Sequence, residues 1–303
     1  MTEQPLPPGR LRLDRRTLLA GAAATAFLAA CGGGDGDGGD AASTDDGDTA
    51  ASTPPLGTWV VVQRFPQDKQ EPGTLRLPFS LTDATGAPVV DPPAVLGAIV
   101  TDLDGNTLGE RVTATRRDLD PTPYYPFRVD VAEPGFYNLV IDGGPPVGAA
   151  FQVMEPGSVP VTGAGAPLPP FDTPTVDDGR GVDPVCTRQD PCPFHDVTLA
   201  DALGAGTPVV YVIGTPAFCQ TGVCAPALDE VIDLHGRYPG VTFVHAEVYA
   251  DNTATTLAPA IEAAQLSFEP VLWVTDADGV VVERLDAIWD GSEVAEILDR
   301  VSG

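Results

Sequence analysis

The sequence predicts two folded parts of different class, an all-β part followed by an α/β part. Three observations carry this. From residue 57 to residue 155, short β-rich runs recur between Gly, Pro, Asn and Asp turn signals. From residue 183 onward, an apolar run, Val209-Val210-Tyr211-Val212-Ile213, stops at Gly214-Thr215-Pro216, and Leu228, Val231 and Ile232 then fall at helical spacing before Gly236. Every histidine, and every cysteine except Cys31, lies in that second part. A length of 303 residues accommodates both parts with tails, and 43% apolar content can supply real cores.

Residues 1–30 read as an export signal. Arg10, Arg12, Arg15 and Arg16 make a basic start, and the apolar stretch Thr17–Ala30 is 14 residues long, too short to span a bilayer as a helix. Arg15-Arg16-Thr17-Leu18-Leu19 resembles a twin-arginine signal, a route for folded proteins. Leu28-Ala29-Ala30-Cys31 resembles a lipobox, which implies cleavage before Cys31 and a lipid on its sulfur. Residues 31–56 form an acidic Gly/Asp/Ser/Thr tether with too little apolar surface to offset the entropy of ordering. Its aspartates lack the spacing and closing glutamate of a calcium loop.

Within 57–155 the runs Thr58–Gln63, Thr74–Leu81, Leu96–Asp102, Arg111–Thr115, Phe127–Val131, Phe136–Ile141 and Ala149–Val153 predict about seven strands. That number over about a hundred residues points to a β-sandwich of immunoglobulin-like type. It carries no cysteine or histidine, so a spacer or partner-binding module is expected. Residues 156–182 are rich in proline and glycine and are expected to hold the two parts apart as a semi-rigid linker.

The α/β part, 183–303, is organised around Cys219 and Cys224, placed where strand gives way to helix. Partial positive charge and free N–H groups at a helix N-terminus favour thiolate over thiol. Downstream come the strand-like Val241–Tyr249, the helix-like Leu257–Leu266, then Glu269-Pro270, Val271–Val274, the turn Asp278-Gly279 and Val280–Val282. Thr198 and Ser292 are candidate helix caps. In this order of elements the region resembles the thioredoxin-like family. The resemblance implies a cis peptide at Pro270, facing the cysteines and shaping a substrate groove, and Cys219 as nucleophile with Cys224 resolving. The chain departs from the family in having four residues between its cysteines instead of two, and in lacking a buried acid on Val209–Ile213.

The wider spacing has a geometric consequence. Were Cys219 the first helical residue, Cys224 would lie about 500° further round, so the two side chains would diverge by roughly 140°. The helix is therefore expected to begin near Cys224, with Gly222 freeing the segment before it and Pro226 tolerated in the first turn. On that placement the dipole favours Cys224 as the low-pKa thiol, against the choice of Cys219 that the resemblance implies.

Five cysteines are accounted for by a lipidated Cys31 and two disulfides, Cys186–Cys192 and Cys219–Cys224, an arithmetic suited to an oxidising compartment. Cys186, Cys192 and His195 could also hold zinc or copper, but a fourth ligand is missing nearby, so the disulfide is preferred and no metal or cofactor is assigned. His235 falls in the last turn of a helix, where a cation favours the dipole. His245 shares one strand face with Phe243 and Glu247 and is expected to be buried and hydrogen-bonded; likeness to copper chaperones of the Sco type is loose, because their cysteine spacing and distal histidine differ.

A net charge of −27 with a single lysine excludes nucleic acid and anionic headgroups as partners. The functional expectation is an exported, membrane-anchored lipoprotein exchanging thiols and disulfides of exported proteins through Cys219 and Cys224, with Pro270 beside them. The alternatives are a non-catalytic binding or scaffold lipoprotein, in which Cys219–Cys224 is a structural bridge, and copper or other metal delivery.

Overall fold

A computed structural model describes residues 54–302. The expected export signal, Cys31 and the expected tether up to residue 53 lie outside the described residues. Among the described residues no helix is long and apolar enough to cross a membrane.

The first part holds eight strands: β1 (Val60–Gln63), β2 (Gly73–Thr82), β3 (Val95–Thr101), β4 (Thr107–Thr115), β5 (Arg117–Leu119), β6 (Thr122–Val131), β7 (Gly135–Ile141) and β8 (Ala149–Val153). They form two four-stranded sheets, ordered β1-β2-β6-β5 and β4-β3-β7-β8. Leu75, Leu77, Phe79 and Leu81 from one sheet meet Leu96, Ala98, Leu139, Ile141 and Phe151 from the other in one core. Each of the seven expected runs overlaps a strand. The additional strand is β5, a three-residue strand pairing back on the start of β6.

The second part follows as α1 (Leu199–Gly204), β9 (Val209–Ile213), α2 (Cys224–His235), β10 (Thr242–Ala246), α3 (Pro259–Ala264), β11 (Val271–Thr275), β12 (Val281–Asp286) and α4 (Gly291–Val301). The sheet order is β10-β9-β11-β12, with β9 and β10 parallel and β11 antiparallel to both β9 and β12. The elements follow the order that the thioredoxin-like resemblance implies, and the Glu269–Pro270 peptide is cis. β9 is apolar throughout because both of its faces are covered. Val210 and Val212 pack toward α2 and α4, while Val209, Tyr211 and Ile213 pack toward α1 and α3. Thr198 caps α1 as expected, its hydroxyl accepting from Asp201 N at 3.0 Å. The cap of α4 is Asp290, not Ser292, which lies inside the first turn.

The expectation of two parts held apart is corrected. In β2 the odd-numbered apolar side chains fill the sandwich core, yet Arg76 on the opposite face is buried too, because the second part covers it. Arg76 makes a two-pronged pair with Glu293 of α4, at 2.7 Å on each side, and also donates to the Asp286 and Ile288 carbonyls. The Tyr124 hydroxyl donates to Glu293 at 2.7 Å and accepts from Asp290 N at 2.9 Å. Burial opposes both charges, but each partner's field outweighs it, so the Arg76 pKa rises and that of Glu293 falls. Leu119 and Tyr124 of the sandwich join the core cluster of Ile288 and Trp289. Residues 156–182 do not act as a spacer either. Val161 and Leu168 are buried against the second part, and Thr162 O accepts the Trp273 indole N–H at 2.9 Å. Proline stiffness favours extended chain, but apolar side chains at intervals along it let that extended chain lie against a sheet.

Candidate functional site

The segment from Gly214 to Cys224 leaves the end of β9, turns, and enters α2. Gly222 adopts φ +70°, the left-handed conformation that lets the chain reverse between the two cysteines, and its N–H bonds Cys219 O at 3.2 Å. Helix α2 begins at Cys224, as the spacing of the cysteines predicts. No side chain caps it in the usual way. Instead, the Cys219 sulfur accepts the Cys224 backbone N–H at 3.4 Å and lies 3.2 Å from the Thr221 hydroxyl. The anion-favouring end of the helix therefore acts on the Cys219 sulfur, although Cys219 precedes the helix. This reverses the dipole argument for Cys224, which begins the helix but turns its own side chain inward.

The electrostatics follow that geometry. A hydrogen bond from the Cys224 thiol, aided by Thr221 and the N–H groups of Val223 and Cys224, outweighs burial and holds Cys219 down to about 5. Cys224 is pushed strongly upward, first by its hydrogen bond to Cys219, then by burial and the charge of Glu269. Cys219 is half-buried, whereas Cys224 is 2% exposed. Glu269 Oε2 lies 3.6 Å from the Cys224 sulfur, and burial, aided by the charge on Cys219, raises its carboxyl to about 7. The polar atoms of Cys219, Cys224 and Glu269 all lie within 4.8 Å of one another, so these three could also hold a cation. Pro270 packs beside them: a β-carbon on Gly214 would meet Pro270 Cβ at 3.3 Å and the Cys224 sulfur at 3.7 Å.

Sequence reasoning missed Glu269. Its signal was adjacency to Pro270, and its location supplies an acid close to Cys224 in place of the one absent from β9. A groove of about 260 Å³ opens beside it, lined by Thr221, Val223, Phe268 and Glu269 on one side and by Gln63, Arg64, Phe65 and Pro66 of the sandwich on the other. The sandwich thus forms one wall of the candidate site.

A second cluster lies behind the loop. Cys186, Cys192, His195 and His245 are all buried, and one donor atom from each lies within 4.8 Å of the other three. The expectation that Cys186, Cys192 and His195 lack a fourth partner is corrected: strand β10 brings His245 to them. The segment carrying them runs beside β10, the edge strand, where the His245 N–H bonds Phe194 O at 3.1 Å and the Phe194 ring stacks on Phe243 at 5.4 Å. Hydrogen bonding from Cys192, with lesser help from the histidines, draws Cys186 strongly toward thiolate and raises Cys192. His245 is hydrogen-bonded and buried as expected; burial opposes its charge, but Cys186 and Glu247 outweigh it and the pKa rises. Glu247 accepts the Thr187 N–H at 2.6 Å. All four cysteines of the described residues are free thiols here, close within each of the two expected pairs. His235 stands apart from both clusters, exposed at the end of α2.

No protein-family model matches the chain, and no curated protein matches it. Among solved structures it is similar to a thiol:disulfide interchange protein of the thioredoxin family from Chlorobium tepidum TLS, at 16% identity and a TM-score of 0.34, covering 46% of this chain and 97% of that one.

Proposed function

We propose that this protein is an exported, lipid-anchored thiol–disulfide exchange protein whose working pair is Cys219 and Cys224. The observation that carries this reading is the asymmetry of the pair. Cys219 reaches the surface with its sulfur at a helix N-terminus, while Cys224 is enclosed behind it with a carboxyl group against its thiol. A bridge whose only task is to tie the chain together needs no such division.

In the reducing direction, the Cys219 thiolate attacks one sulfur of a substrate disulfide. A mixed disulfide forms, and the substrate's other sulfur leaves as thiolate and takes a proton from solvent. The Cys224 thiol then passes its proton to Glu269 and attacks the Cys219 sulfur. The first substrate sulfur leaves as thiolate, the Cys219–Cys224 disulfide forms, and two electrons have passed to the substrate. Oxidation of a substrate dithiol is the same sequence reversed, with Glu269 returning the proton. Pro270 packs beside the Cys224 sulfur, and the sandwich, which we read as immunoglobulin-like, supplies the outer wall of the groove at Gln63–Pro66.

Export and anchoring rest on Arg15-Arg16 and Leu28–Cys31. Cys31→Ser should release the protein from membranes; a processed variant that stays bound would remove the anchor from this reading. The exchange reading is tested by the reduction potential of Cys219–Cys224. A value well above about −300 mV is expected, and one below it would make the pair a structural bridge in a non-catalytic scaffold.

A further inference from the structure

We infer that Cys186, Cys192, His195 and His245 form a closed, four-ligand zinc site that holds the dithiol loop from behind. Tetrahedral zinc with Zn–S near 2.3 Å and Zn–N near 2.05 Å requires edges of about 3.3 Å between two nitrogens and about 3.6 Å between nitrogen and sulfur. His195 Nε2 and His245 Nδ1 are 3.2 Å apart. The Cys192 sulfur is 3.2 Å from His195 Nε2 and 3.5 Å from His245 Nδ1. These three edges already match a zinc coordination shell, and the Cys186 sulfur lies within 4.8 Å of each of the three atoms.

Proton placement points the same way. His245 Nε2 lies 3.0 Å from Gly214 O, which can only accept, so Nε2 donates there and a neutral ring turns its Nδ1 lone pair to the centre. That is the arrangement in which a metal-ligating histidine is usually oriented by a backbone carbonyl. His195 Nε2 then faces both that lone pair and the Cys192 sulfur, and a single N–H there can serve only one of them. A divalent cation satisfies all four atoms at once. On binding, the two thiols release their protons and the histidines bind as neutral rings, so two thiolates balance the charge of the ion. The ligands are at most 5% exposed, leaving no open position for substrate, which makes the site structural and not catalytic. Soft thiolates with imidazoles in a tetrahedron suit zinc better than the oxygen-seeking cations.

The site reaches the dithiol through two links. One is His245 to Gly214, the residue packed against Cys224 and Pro270. The other is Thr187, next to Cys186, whose hydroxyl accepts the Ala217 N–H at 3.1 Å. The inference concerns metal content and does not depend on thiol exchange, so either can fail alone.

The full-length protein, isolated without chelator, should contain about one zinc per chain by elemental mass spectrometry. Replacing zinc with cobalt(II) should give the intense visible bands and thiolate charge transfer of a tetrahedral site. Cys192→Ser and His245→Ala should each lower zinc below about a tenth per chain, whereas Cys219→Ser and Cys224→Ser should leave it unchanged. Because these site variants could fail to fold, the cobalt spectrum of the unaltered chain stands as an independent measurement. A Cys186–Cys192 disulfide in peptide maps of the exported protein would overturn the inference. So would copper in place of zinc, or metal that follows Cys219 and Cys224.

Discussion

The two cysteine clusters contain similar side chains and differ in how they are enclosed. At Cys219 and Cys224 the loop lies open to a groove, one sulfur is half-buried, and the neighbouring acid can exchange protons with solvent-facing groups. At Cys186 and Cys192 both sulfurs are buried, and two imidazoles replace the single carboxylate. Gly214 connects the two, its carbonyl tied to His245 and its α-carbon against Cys224 and Pro270. The comparison teaches that cysteine count and spacing leave the chemistry open. Exposure and the identity of the nearest proton-bearing group set it: an open pair with unequal sulfurs suits exchange, and a closed set of convergent donors suits an ion.

The strongest way to break this division is to move chemistry from one cluster to the other. Cys219→Ser should abolish disulfide exchange, a loss on the order of 10³-fold or more, as removal of a covalent nucleophile does. Cys224→Ser should trap a mixed disulfide on Cys219. Trapping at Cys186 or Cys192 in either variant would erase the distinction.

Next in size is the acid. Glu269→Gln should slow the step in which Cys224 attacks by about 10²- to 10⁴-fold while leaving formation of the first mixed disulfide nearly intact. The pH profile of the unaltered protein sharpens this. Attack by Cys219 should rise as pH passes about 5, and resolution in the reducing direction should rise further as Glu269 loses its proton near 7. Stopped-flow measurement of the two phases checks both, and a resolution rate independent of pH between 6 and 8 would remove Glu269 from the mechanism.

A third prediction tests the wall that only the open cluster has. Arg76→Ala leaves Glu293 buried without its partner and should cost about 3–5 kcal/mol in urea unfolding. Glu293 has its folded pKa lowered below the ordinary 4.5, so its share of the pair is fully present above that value and is lost as pH falls through the folded one. Unfolding free energy measured from pH 7 to pH 3 should fall at the acid end, and less so in Glu293→Gln. If the sandwich wall matters for substrate, Arg76→Ala should also lower exchange with protein disulfides more than with a small disulfide.

The smallest expected effect is at Thr221. Thr221→Val removes a side-chain hydrogen bond from the Cys219 sulfur and should slow its attack at pH 5 by less than about tenfold. Thiolate absorbance of Cys219 against pH would show the accompanying upward shift.

Much of this was legible in the chain because it is local. The apolar run at Val209–Ile213, the turn at Gly214–Pro216 and the spacing of Leu228, Val231 and Ile232 all express short-range periodicity and backbone restriction. Even the start of α2 at Cys224 followed from 100° per residue and the need for two side chains to meet. Tertiary structure alone decided the rest. His245 meets His195 across 50 positions, Glu269 meets Cys224 across 45, and Arg76 meets Glu293 across 217. Such meetings depend on which strands pair, in which register, and which sheet face another part covers. A histidine in a strand reads alike whether its neighbour is a carbonyl or three more ligands, and an arginine among leucines in β2 does not disclose its partner. Local propensity is a property of the chain, whereas the convergence of distant polar groups is a property of packing, and here packing decided which cysteines face solvent and which face one another.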